Sequence, residues 1–147
     1  MSISDSKLNS AWWALRVGLG AAAFLAGLDK FFNLLTNWEM YLNPLVARLL
    51  PLSPATFMHI VGVIEMVVGL MILTRWTRAG SYIAMLWLAL IAVSLVSAGA
   101  FFDVAVRDLE MAIAAYTLAR LTEVRQPALD SQSLPLGGHA SNSLLAR

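Results

Sequence analysis

The sequence predicts an all-α integral membrane protein: a four-helix bundle with a short interfacial helix in its first extracytoplasmic loop. Three observations carry this. Of 147 residues, 59% are hydrophobic and only 13% charged, against nearly half apolar and a quarter charged in soluble domains. The apolar residues fall in blocks close to the ~20 residues a helix needs to cross a bilayer. Lysine and arginine are also shared unequally between the two sides that four crossings create.

The predicted spans cover residues 11–32, 55–73, 79–102 and 104–122, at lengths suited to a hydrocarbon core. Residues 1–10 read as a polar cytoplasmic lead-in and 123–147 as a flexible cytoplasmic tail rich in Gln, Ser, Asn and Gly. The first span opens on Trp12-Trp13, a pair suited to the aromatic belt at a membrane surface. The 33–54 connection holds Trp38, Tyr41, Leu42, Leu45 and Leu49 at roughly helical spacing, with Pro44, Pro51 and Pro54. Two readings stand there: an interfacial helix broken near Pro44, or a loop with some turn. Pro54 sits where the first turn of a helix tolerates proline. In the last span only Met111 to Ala119 is free of charge.

With four spans, Lys7, Arg16, Arg75, Arg78, Arg120, Arg125 and Arg147 lie on one side and Lys30, Arg48 and Arg107 on the other. The richer side is cytoplasmic by the positive-inside rule, so both termini are expected in the cytoplasm of a cell with this protein in its plasma or inner membrane. A net charge of +1 gives no basic footprint for nucleic acid. The absence of cysteine excludes a disulfide, a thiolate nucleophile and a thiolate-held cluster from this chain. Two histidines, one of them His139 in the tail, are too few for a metal or bis-histidine haem site, so no metal is expected.

Arg16, Gly20, Ala23, Gly27 and Lys30 recur every three or four residues, as does the Gly62–Gly69 pair of the second span with its neighbours. Gly20, Gly27, Gly62 and Gly69 therefore read as packing positions where two helices approach closely. Glu65 lies about 16 Å inside Pro54 by helical rise, near the midplane. A carboxylate at that depth is paired, protonated or facing a wet cavity. His59 lies near the same small-residue face. Asp103, Arg107 and Glu110 form a stripe on the last span, where Arg107 can satisfy both acids. Asp108 stands on an adjacent face and needs a partner, with Lys30 the candidate. Asp29, Lys30, His59, Asp103, Arg107, Asp108 and Glu110 thus form a polar cluster above Glu65: either a funnel to a buried carboxylate or a closed structural network.

Several of these residues resemble the DoxX family. Leu15-Arg16, Gly18, Gly20, Gly27 and Asp29-Lys30-Phe31 are similar to its first helix. Gly62-Val-Ile-Glu65, with Gly69-Leu70, resembles its second helix, and Arg107-Asp108-Leu109 the start of its fourth. The resemblance covers residues 11–122. It implies a four-helix membrane protein linked to membrane redox chemistry, because some relatives are small subunits of quinone-reducing enzymes. Relatives that handle disulfides use cysteines, and this chain has none.

On that footing the expected function is a quinone-interacting small subunit of a membrane redox complex, with no covalent cofactor and a membrane quinone as ligand. Glu65 would accept a proton from the quinol, and Lys30 and His59 would hydrogen-bond its oxygens. Electrons would come from or pass to a partner subunit, or a second copy of the chain would complete the assembly. The alternatives are a non-catalytic membrane anchor and a small transporter, though the two halves lack the internal repeat common in transporters.

Overall fold

The computed structural model describes residues 3–132, with side chains over 6–125. The remainder of the tail, with His139, lies outside the described residues. The chain folds as α1 (Ile3–Asp29), a short 3-10 turn (Trp38–Tyr41), α2 (Pro44–Leu49), α3 (Pro54–Leu73), α4 (Thr77–Ala98) and α5 (Phe102–Gln132). Among the described residues three helices are long and apolar enough to cross a membrane: α1 from Ser6, α3 and α4. Their outer faces carry exposed Val17, Leu25, Ile60, Val63, Val67, Leu86, Leu90 and Val93. Water does not tolerate apolar surface on that scale. The chain is a multi-span helical membrane protein.

Local chemistry sets the helix ends. Ser53 caps α3 by accepting the Thr56 N–H at 3.2 Å, with Pro54 in the first turn. Pro44 likewise begins α2, behind an Asn43 cap. It starts a helix where the sequence suggested that it breaks one, because a first-turn N–H has no intrahelical acceptor to lose. Gly99 stops α4 with a left-handed φ of 69° and donates to Leu95 and Val96, three residues before the expected end. Phe101 also has a positive φ, 56°. It packs edge-on against Tyr41 at 4.8 Å, which ties the α4–α5 corner to the first connection.

Both terminal segments are more helical than expected. α1 begins at Ile3 instead of near Ala11. α5 runs through Glu123 to Gln132. Glu123 holds that extension by accepting from Tyr82 Oη at 3.0 Å and pairing with Arg78 at 3.1 Å and Arg120 at 2.5 Å.

The most extensive contacts are α1 with α3 and α4 with α5; α3 also packs on α4, and α5 on α1. The first pair is antiparallel, since Gly27 meets Gly62 while Gly20 meets Gly69. A Cβ on Gly27 would lie 2.5 Å from the Gly62 carbonyl oxygen, and one on Gly69 2.7 Å from that of Gly20. Only glycine permits backbones this close. The α4–α5 seam uses small side chains: Ser81, Ala84 and Ala92 on α4, and Ala105, Ala112, Ala115 and Ala119 on α5 are buried, while Gly80 lets α4 approach Met71 and Ile72 of α3. Two packed cores result. Trp12, Leu19, Val68, Ile72, Ala84, Ala115 and Leu118 form one; Ala92, Leu95 and Ala105 form the other, beneath Tyr41 and Phe101.

Candidate functional site

A cavity of about 860 Å³ runs from the first connection down between the helices to the level of Ile72. Its walls are largely apolar, with Leu19, Ala23, Met58, Val61, Val68 and Ile91 among them. Its polar groups are few: Lys30, Glu65, Trp87, Ser94, Arg107 and Asp108, with Thr36, Trp38, Tyr41 and Asn43 near the connection. A mostly apolar hollow of this size with a few convergent polar groups is the usual form of a small-molecule site.

Lys30 and Glu65 are its centre. Their charged atoms pair at 2.5 Å, with the side chains 5% and 14% exposed. The glycine crossing makes the pair possible. Gly62 stands opposite the Lys30 Cβ, and Gly27 opposite the Glu65 Cβ. Each glycine leaves room for the charged residue on the other helix. Lys30 Nζ also lies 3.7 Å from the centre of the Trp38 ring, so an aromatic face covers the side of the ammonium that Glu65 does not.

Asp29 does different work. Its carboxylate accepts from the backbone N–H groups of Leu34 and Leu35, both at 3.0 Å, and from Trp38 Nε1 at 2.8 Å. It shapes the turn after α1 and holds Trp38 over Lys30. Asn43, also buried, reaches the far end of α4, donating to the Ser94 carbonyl at 3.0 Å and Ser97 Oγ at 3.1 Å, while its own oxygen caps Leu45 N–H. Between them, these two residues fasten the connection across the cavity mouth.

Asp108 is the acid of α5 that faces the cavity among the described residues. It is 9% exposed, lines the cavity and lies within electrostatic range of Lys30 and Glu65. It has no hydrogen-bond or ion-pair partner among the described residues. The expected Lys30–Asp108 pair is replaced by Lys30–Glu65, because the α1–α3 crossing brings those two together first. Trp87 Nε1 is buried. Its N–H makes no well-formed hydrogen bond but faces the Glu65 carboxylate.

The other expected members of the cluster stand apart. Asp103, Arg107 and Glu110 are exposed and form no ion pair with each other among the described residues; of the three, Arg107 also lines the cavity. Their stripe lies on the far side of α5 from its alanine face. His59 is exposed as well and stacks flat on Phe31, with 4.7 Å between ring centres; it does not line the cavity. The structure thus brings together Lys30, Glu65 and Asp108, uses Asp29 to position the connection, and leaves His59, Asp103, Arg107 and Glu110 at the periphery. Trp38, Trp87 and Asn43 are the site residues that spacing alone does not reveal. The signal for Trp38 was its place nine residues after a membrane-edge Asp29.

At the opposite end, Arg16 closes α3. It donates from Nε to the Ile72 carbonyl at 3.0 Å and from Nη2 to Leu73 and Thr74 at 2.7 and 2.6 Å, satisfying carbonyls that a helix C-terminus leaves free. Trp12 donates to Thr122 Oγ1 at 2.8 Å. Among the described residues no three His, Asp or Glu side chains gather in a way that could hold a metal ion.

Compared with known proteins, the chain matches no family model. No curated protein and no solved structure matches it either. Its own residues therefore define it: an all-α membrane protein with several span-length helices and a largely apolar internal cavity, centred on a lysine–glutamate pair.

Proposed function

We propose that the chain is a DoxX-like four-helix membrane protein whose cavity binds a membrane quinone, as the small subunit of a redox complex. In this reading α5 is the fourth span. Support comes from Val106, Leu109, Ile113 and Tyr116, which are exposed along one stripe of α5 and present an apolar face suited to lipid. Arg16, Arg75, Arg78, Arg120 and Arg125 then share the cytoplasmic end with both termini.

The observation that carries the ligand assignment is the pairing of an apolar cavity with hydrogen-bonding groups left unmatched at one spot. A quinone has a flat polar head on an apolar tail. Its tail suits the Leu19, Val61 and Val68 wall. Trp87 N–H makes no well-formed hydrogen bond, and in this reading it donates to a ring oxygen. When bound, a quinol supplies two electrons and two protons on oxidation, the electrons passing to a partner subunit. Asp108 and Glu65 are the carboxylates positioned to take up protons, and Lys30 holds Glu65 in place.

The test is to purify the protein in native lipid and extract it for quinone. Quinone is expected in near-stoichiometric amount, falling about tenfold in Glu65→Gln, the scale of one lost charge-assisted contact. Quinone-free wild-type protein overturns the proposal.

The Lys30–Glu65 contact favours a second reading, a membrane anchor. The pair sits on the glycine crossing and can serve to lock α1 on α3. On that reading Glu65→Gln lowers the amount of assembled complex and leaves the activity per assembled complex unchanged.

A further inference from the structure

The end of the molecule far from the cavity mouth has its own pocket, of about 280 Å³, lined by Trp12, Trp13, Arg16, Thr74, Arg75, Thr77, Thr122 and Arg125. Its charge is one-sided. The Arg16 and Arg125 guanidinium groups both lie against the Trp12 ring, 4.8 and 3.9 Å from its centre, and Arg16 is also 4.9 Å from Trp13. Two cations thus share one indole. No carboxylate pairs with either of them, or with Arg75, among the described residues. The nearby Glu123 is already taken by Arg78, Arg120 and Tyr82. α4 begins beside the pocket without a side-chain cap, so the N–H groups of its first turn add further positive potential.

Gathering like charges without a counterion is unfavourable unless an anion joins them. Arginine is suited to phosphate, which it grips through paired N–H donors. Paired tryptophans at the end of a membrane helix mark the headgroup level. We infer that this pocket binds the phosphodiester headgroup of an anionic phospholipid, with Arg75 and Arg125 as its movable clamps. Arg16 contributes charge from a fixed position, because three carbonyls already hold it. The site is independent of the cavity and of whatever ligand the cavity takes.

The experiment uses full-length protein in detergent, titrated separately with phosphatidylglycerol, phosphatidylcholine and inorganic phosphate and read by native mass spectrometry. One phosphatidylglycerol is expected to be retained at least about tenfold more tightly than phosphatidylcholine, the scale of charge-assisted contacts. The Arg75→Gln/Arg125→Gln double variant is expected to lose that preference. Arg78→Gln, whose partner is Glu123 and which lies outside the pocket, is expected to keep it. Arg75 makes no hydrogen bond among the described residues, so Arg75→Gln alone retains the fold and is expected to weaken the preference several-fold. Equal binding of the two lipids, or an unchanged preference in both Arg75 variants, overturns the inference. Displacement of the lipid by inorganic phosphate at equal concentration also overturns it, and assigns the pocket to a soluble phosphate compound.

Discussion

The two ends of the α1–α3 pair treat charge in opposite ways. At one end a single lysine meets a single glutamate at 2.5 Å, roofed by Trp38 and facing an apolar cavity. At the other, arginines crowd around tryptophan with no acid paired to them among the described residues. A matched pair can sit deep because its net charge is zero and each partner satisfies the other. An unmatched cluster survives where water, helix carbonyls or lipid headgroups reach it. Depth in the membrane and charge balance therefore vary together along one helix pair.

Breaking the matched end should have the largest effect. Lys30→Met leaves Glu65 as an unpaired buried carboxylate and is expected to destabilise by about 3–5 kcal/mol. It is measured as a loss of folded protein in a detergent titration or a fall in Tm. The Lys30→Met/Glu65→Leu double variant is expected to recover most of that stability. If the double variant is as unstable as the single, the pair contributes more than charge matching.

The next effect tests the crossing beneath the pair. Gly27→Ala drives a methyl group against the Gly62 carbonyl and is expected to cost about 1–3 kcal/mol through strain. Gly18 lies on the same helix with open space around it. Gly18→Ala is expected to be neutral or stabilising by up to about 1 kcal/mol. Equal behaviour of the two variants in thermal unfolding would remove the role assigned to the crossing.

The smallest effect lies at the arginine end. Trp12→Phe keeps an aromatic face for the cations but loses the hydrogen bond to Thr122, at an expected cost of about 1 kcal/mol. A loss several times larger would show that Trp12 organises that end in addition to bonding Thr122.

How much of this was legible in the sequence follows from what marks an interior when the solvent is lipid. Gly20, Gly27, Gly62 and Gly69 stood out because small residues at helical spacing have no other common purpose in a span, and all four lie in the α1–α3 contact. Pro54 and Ser53 announced the start of α3 by their chemistry. In α5 the charged stripe of Asp103, Arg107 and Glu110 is the stronger periodic signal, yet all three residues are exposed. Apolarity distinguishes core from surface only in water; here the outward face is also apolar. The alanines at 105, 112, 115 and 119 were the better guide, and Asp108 shares their face. Glu65 could be placed at depth by counting, but its partner depended on how two helices cross, which single-helix periodicity does not encode. His59 was misplaced for the same reason: Phe31, from the turn after α1, stacks on its ring outside the cavity.

The three bonds that Asp29 accepts fix the span of chain between itself and Trp38. One residue added within that stretch would swing the indole off the lysine and lift the roof from the cavity. The stretch after α2, from Leu50 to Leu52, carries no comparable side-chain anchor among the described residues. An epitope or reporter meant for this side of the protein belongs there, where extra length can loop outward and leave the cavity undisturbed.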